Sequence, residues 1–199
     1  MRAILFTVLL FLLTSPSYAG SLINPYILGA AAGGGCTTVA TESTDISSAI
    51  FTTGKFTGEL ARAGLITTSA SSQTVCAVDV WAEKVGAPTQ TVTLYIYTDS
   101  GTEPTTPELA ASSSVSATTF PSAGGGGDWV TFSLVTPVAL SASTNYRLVL
   151  VMSSTDGTNH INVYGGSTAA ADVDKSDAWP AVTWVDETNR QMAFRLKTL

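Results

Sequence analysis

One histidine and two cysteines leave this sequence poor in the side chains that most catalytic and metal chemistry uses. Structural zinc wants four ligands, and two thiols with one imidazole do not supply them. Nine Lys and Arg stand against fifteen Asp and Glu, for a net charge of −6, so the surface lacks the basic groups that neutralise a phosphate backbone. Nucleic acid is therefore not an expected partner. An anionic bilayer surface is not one either, because electrostatic attachment needs clustered basic residues. Charged residues of both signs make up only 12% of the chain, which leaves Thr and Ser to cover the outer faces. A long helical pattern is also missing, and Gly and Pro recur at short intervals.

The chain does contain an apolar N-terminal run. Arg2 precedes a largely apolar stretch over residues 3–13, then Pro16 and Ser17-Tyr18-Ala19, with small residues where a signal peptidase reads. The expectation is a signal peptide over residues 1–19, cleaved after Ala19, and a secreted or cell-surface protein. The run is too short to cross about 30 Å of hydrocarbon, and no second run of its kind follows, so no transmembrane segment is expected after cleavage. Loss of Arg2 makes the mature chain more acidic by one unit, since no Asp or Glu precedes Ala19. Residues 20–35, ending in Gly33-Gly34-Gly35, form a flexible lead, and residues 36–199 suit one domain with a sizeable core. Export predicts an oxidising compartment, so Cys36 and Cys76 are the expected disulfide. Closing a loop of about 40 residues contributes ~4 kcal/mol on a chain-entropy estimate. Two buried free thiols, or one exposed thiol, are the alternatives.

Strand signals dominate the rest. In "CAVDVWAE", Cys76, Val78, Val80 and Ala82 share one face, opposite Ala77, Asp79, Trp81 and Glu83. "TVTLYIYT" sets Val92, Leu94 and Ile96 against Thr93, Tyr95 and Tyr97. "NYRLVLVM" is apolar on nearly both faces, which predicts a central strand. "DWVTFSL", "HINVYGG" and "RQMAFRL" are further candidates. Between the cysteines the pattern is weaker. Strands near residues 49–53 and 60–67 compete with a helical turn or two over 58–65, where Gly58 and Gly64 count against helix. Residues 102–112, with Pro104 and Pro107, read as a stiff loop crossing one end of the fold. Many short strands with Gly/Pro-rich turns predict an all-β, jelly-roll-like sandwich of two mainly antiparallel sheets.

Across residues 79–166 the order of Gly86, Pro88, Tyr97, Gly101, Pro104, Trp129, Phe132, Leu140, Tyr146 and Leu150 resembles the jelly-roll domain family called choice-of-anchor R, found in bacterial, phage and metagenomic proteins. The resemblance covers under half of the chain. It implies a sandwich like those of carbohydrate-binding domains on surface proteins, and it implies no catalytic residues. The C-terminal anchor common in that family has no counterpart here, as the end "RQMAFRLKTL" is amphipathic.

Candidate sites are few. Sugar rings present apolar C–H faces that stack on exposed aromatics, and Trp81, Tyr95, Tyr97 and Trp184 are the candidates for ligand binding. The competing reading packs these rings beneath loops or against a second sheet. Trp129 and Phe132 read as core residues or loop anchors. "DVDKSDAW" supplies Asp172, Asp174 and Asp177 in a short acidic loop, hard oxygen ligands that suit a structural calcium. Asp177 and Thr183 stand where an EF-hand counted from Asp172 wants Gly and Glu, so it is not that loop; a solvated acidic loop is the alternative. His160 opens a strand after a polar loop and reads as a surface or capping residue. Asp79 and Glu83 share a strand face roughly 13 Å apart, too wide for a hydrolase pair.

The leading expectation is a secreted, non-catalytic surface or virion-associated module that binds carbohydrate. A structural or assembly subunit is the alternative, with "SLINPYIL" completing a neighbour's sheet by strand addition. A secreted hydrolase ranks third.

Overall fold

Alternating apolar residues need a second apolar surface to cover them, and here each sheet covers the other. The computed structural model describes residues 35–44, 48–53, 60–101, 103–154, 156–166, 172–176, 184–188 and 190–199. In chain order the strands are β1 (Thr38–Ser43), β2 (Ser48–Thr53), β3 (Ala61–Thr67), β4 (Gln73–Val85), β5 (Thr91–Asp99), β6 (Pro104–Ala111), β7 (Val115–Ser116), β8 (Asp128–Leu140), β9 (Asn145–Met152), β10 (His160–Gly166), β11 (Asp172–Ser176), β12 (Val185–Thr188), β13 (Gln191–Met192) and β14 (Phe194–Thr198). One antiparallel sheet runs β1-β14-β4-β10-β13, with β2 on β10 and β8 on β4. The other runs β12-β11-β3-β9-β5-β6, with β7 on β5. We call them the front and back sheets. The chain changes sheet between β2 and β3, β3 and β4, β4 and β5, β7 and β8, β8 and β9, β9 and β10, β10 and β11, and β12 and β13, a jelly-roll-like alternation. The expected all-β sandwich is the observed fold.

Val78, Val80 and Ala82 of β4 meet Val92, Leu94 and Ile96 of β5 and Leu148, Leu150 and Met152 of β9 between the sheets. Phe132, Ile161, Phe194 and Leu196 complete the middle of this core. Fully burying a side chain of this kind stabilises the fold by about 1.5–3 kcal/mol, so the interior rows of β4, β5 and β9 dominate stability. β9 lies between β3 and β5 and is buried at every position after Asn145, which is why its sequence is apolar on both faces. Its outward row, Val149 and Val151, packs with Ala61, Ala63 and Tyr97 in a second cluster on the outer face of the back sheet.

Three sequence expectations need correction. Residues 104–111 are not a crossing loop. They form β6, the strand that ends the back sheet, which pairs antiparallel with β5 at residues 104–105 and 110–111 and bulges between them. Pro104 and Pro107 have no N–H to donate to a ladder; a sheet edge tolerates proline, and Pro107 falls in the stretch of β6 that the pairing with β5 skips. Trp129 is not a core residue, for it lies on the outer face of β8, opposite Trp81. His160 is buried, not on the surface, at the first residue of β10. The helical alternative over 58–65 also gives way to strand β3, which pairs with β9 over its full length.

The bridge between Cys36 and Cys76 is formed, with Cα atoms 5.9 Å apart. Cys76 is buried but lies outside the inter-sheet cluster, because the pairing of β4 with β8 slips between Val75 and Ala77. Val75 takes the inward place instead. Pro137, which has no N–H to pair, falls in the stretch of β8 that β4 skips. The signal peptide expected over residues 1–19 and residues 20–34 of the expected lead lie outside the described residues.

Candidate functional site

The four aromatics expected to bind ligand divide between two faces. Tyr95 and Tyr97 project from β5 on the outer face of the back sheet, their ring centroids 6.3 Å apart. Tyr97 is buried among Ala61, Ala63, Val149 and Val151, and Tyr95 and Trp184 pack partly buried against the same cluster. Burial pushes the Tyr97 hydroxyl pKa well above its ordinary value, with smaller contributions from the Glu108 and Tyr95 charges. Beside them the Arg147 Nε–H donates to Asp99 Oδ1 at 2.7 Å, an ion pair almost wholly removed from water. These rings cover apolar side chains, so this face is largely committed to packing.

Trp81 stands apart on the front sheet. Strand alternation sends Asp79, Trp81 and Glu83 of β4 outward, and antiparallel register sets Trp129 directly across from Trp81 and Thr131 across from Asp79. The two indoles meet edge to face at 5.2 Å between centroids. The Trp81 indole N–H donates to the Gly126 carbonyl at 2.6 Å. Arg195, outward on β14, lays its guanidinium 4.0 Å from the centroid of the Trp129 ring and bonds Glu42 Oε2 of β1 at 3.1 Å. Each indole is therefore held by a neighbour while remaining half-buried.

Polar side chains border the pair on both sides along the sheet. Toward one end, Asp79 accepts from the Thr131 hydroxyl at 2.7 Å and from Lys197 Nζ at 2.8 Å. Toward the other, Glu83 is buried and its Oε1 accepts from the Asn162 side-chain amide at 3.0 Å. Burial raises the pKa of Tyr164, with further contributions from the hydrogen bond and charge of Glu83. A ring pair flanked by ordered carboxylates, an amide, a hydroxyl and two cations offers stacking surface and hydrogen-bond partners together. Sequence reasoning found Trp81 and missed Trp129 and Arg195. The signal for Trp129 was present: it shares strand parity with Thr131 and Ser133, whereas Val130, Phe132 and Leu134 take the other face.

Two of the three expected calcium ligands lie in a strand rather than a loop. Asp172 and Asp174 lie in β11, paired in register with Thr188 and Asp186 of β12, and Asp177 lies outside the described residues. Among the described residues no group of three His, Cys, Asp or Glu could hold a metal ion. Asp79 and Glu83 share the outer face as expected, each with its own partners. No family model, curated protein or solved structure matches this chain.

Proposed function

We propose that this chain is an exported, non-catalytic recognition module that binds saccharide on the outer face of the front sheet. The observation that carries this reading is the Trp81–Trp129 pair, half-buried and held in place between the Asp79–Thr131–Lys197 and Glu83–Asn162 groups. Rings already fixed by Gly126 and Arg195 lose little freedom when a ligand stacks on them, which favours affinity. Export to the cell exterior or a virion surface is supported by the leader pattern and by a disulfide, a bond that persists in oxidising compartments. The resemblance of residues 79–166 to choice-of-anchor R domains agrees with a surface role.

A glycan array probed with residues 20–199 tests the proposal, followed by titration of any bound glycan against Trp129→Ala. Affinity should fall by about tenfold or more, equivalent to ~1.4 kcal/mol, while the protein remains folded. An array without a binder, or a variant that binds as the parent does, rejects this face as the site.

A second reading is assembly by strand addition. Among the described residues β1 pairs only with β14, so its outer edge is where a neighbour's strand would extend the front sheet.

A further inference from the structure

β1 is an outermost strand of the front sheet, laid against β14, the last strand of the chain. None of its residues is fully buried, and among the described residues none joins either hydrophobic cluster. Its attachments are few. It pairs with β14 from Thr38 opposite Thr198 to Ser43 opposite Phe194, with a slip between Val39 and Thr41. The Thr41 hydroxyl accepts from the Gln73 side-chain amide at 2.6 Å. Glu42 meets Arg195 in an ion pair whose side chains are 46% and 32% exposed, too open to water to hold a strand by itself. The remaining attachment is covalent: Cys36, just ahead of β1, is bonded to Cys76 of β4.

A strand that buries no apolar side chain opens at low free energy. With the bridge in place β1 is tied at both ends, by Cys36 to β4 and by the chain that runs on to β2. Without it the Thr38 end is free. The core does not need β1, since its inward rows come from other strands. The tryptophan face does. The Cys36 and Cys76 sulfur atoms lie 3.6 and 3.4 Å from the Lys197 carbonyl oxygen of β14. β14 supplies both cations of that face: Lys197 Nζ bonds Asp79, and Arg195 covers the Trp129 ring while its Nε–H donates to Glu42. Contacts therefore run from the bridge through β1 and Glu42 to Arg195 and Trp129.

We propose that the Cys36–Cys76 bridge is a redox switch for the tryptophan face. Oxidised, it keeps β1 on β14 and Glu42 on Arg195. Reduced, it lets β1 open while the sandwich stays folded, and Arg195, without its carboxylate partner, no longer fixes the Trp129 ring. A dithiol carries out the step: its two thiols give up two electrons and two protons, Cys36 and Cys76 become thiols, and the dithiol closes its own disulfide. Cys36 is the more exposed half of the bridge, as Cys76 is 5% exposed. The switch acts on the face proposed above as the saccharide site and rests on that reading for its purpose. A chain still reduced before export lacks the ordered face, and oxidation after export completes it.

The test is hydrogen exchange and NMR on the protein with and without a small dithiol. No saccharide is needed, so the outcome is separate from that of the glycan array. Reduction should leave the backbone amides of Leu148 and Leu150 protected and speed exchange at the slowest amides of Thr38–Ser43 by about tenfold or more. The Arg195 Nε–H and Trp129 indole N–H resonances should shift with it, while the Trp81 indole N–H, held by Gly126, stays protected. Cys36→Ser should match the reduced protein. Glu42→Gln in the oxidised protein should reproduce the Arg195 and Trp129 shifts with β1 still protected, which marks Glu42 as the positioning residue. Unchanged protection of β1 on reduction overturns the proposal. General loss of protection overturns it too, since the bridge would then hold the whole fold. A Trp129 resonance that stays in place while β1 opens does the same.

Discussion

A Cβ built on Gly127 would stand 2.7 Å from Trp81 Nε1 and 3.1 Å from the Ala82 carbonyl oxygen. Gly127 also holds φ at +79°, a left-handed conformation that side chains other than glycine's rarely adopt. The neighbouring Gly126 carbonyl accepts the Trp81 indole proton, so the glycine turn before β8 and the ring on β4 position one another.

Gly127→Ala should therefore destabilise the protein by about 1–3 kcal/mol, from backbone strain and the forced shift of Trp81. Urea unfolding gives the stability change, and tryptophan fluorescence should report the altered surroundings of the indole. A variant with parental stability and an unchanged emission spectrum would show that the turn does not hold the ring.

The inward row of β5 gives a sharper contrast. Leu94 is completely buried between the sheets, whereas Thr93 is outward and half-exposed, its hydroxyl 2.9 Å from that of Ser114. Leu94→Asp places a carboxylate where no partner exists and should cost several kcal/mol or prevent folding. Thr93→Asp should cost less than about 1 kcal/mol. Comparable losses in denaturant unfolding would contradict the register.

On the outer face of the back sheet, Tyr97 and Tyr95 are neighbours with different duties. Tyr97→Ala removes a buried ring from the Ala61, Ala63, Val149 and Val151 cluster and should cost about 3–5 kcal/mol. Tyr95→Ala, from a half-buried position, should cost clearly less. Thermal melts of the two variants check the order, and a reversal would mean that Tyr95 is the anchor of this cluster.

Asp156 supplies a pH dependence. It accepts from the Asn159 side chain and from the backbone and hydroxyl of Thr158, and these bonds lower its pKa from 3.8 to about 2. A depressed carboxylate stabilises the fold in full above its unfolded pKa and loses that contribution as pH falls through its folded one. The loop should keep its structure at pH 5 and loosen between about pH 4 and pH 2. Asn159 also accepts from the Ala87 N–H at 2.7 Å, so the Ala87 amide resonance is the probe. A midpoint near 4 for Asp156 would show that these bonds do not persist in solution.

Side-chain alternation in β4, β5 and β9 was readable because each strand buries one face or both, and burial selects residue type position by position. The sequence by itself determined the all-β class, the interior rows of β5 and β9 and of β4 from Val78 onward, and the pairing of its two cysteines. Three things were decided only by the tertiary structure. Edge position made a strand of the proline-containing segment β6, since an outermost strand keeps one side free of ladder bonds. The slip in β4 between Val75 and Ala77 exchanged the inward place of Cys76 for that of Val75, and a bulge leaves no mark in a pattern read two residues at a time. Pairing across sequence separations that no local pattern encodes put Trp129 opposite Trp81 and brought Arg195 from the chain's last strand over its ring, while Tyr95, Tyr97 and Trp184 were drawn to the other sheet. Local alternation says which way a side chain points from its own strand; which strand lies alongside, and so which residues share a face, depends on how the whole chain packs.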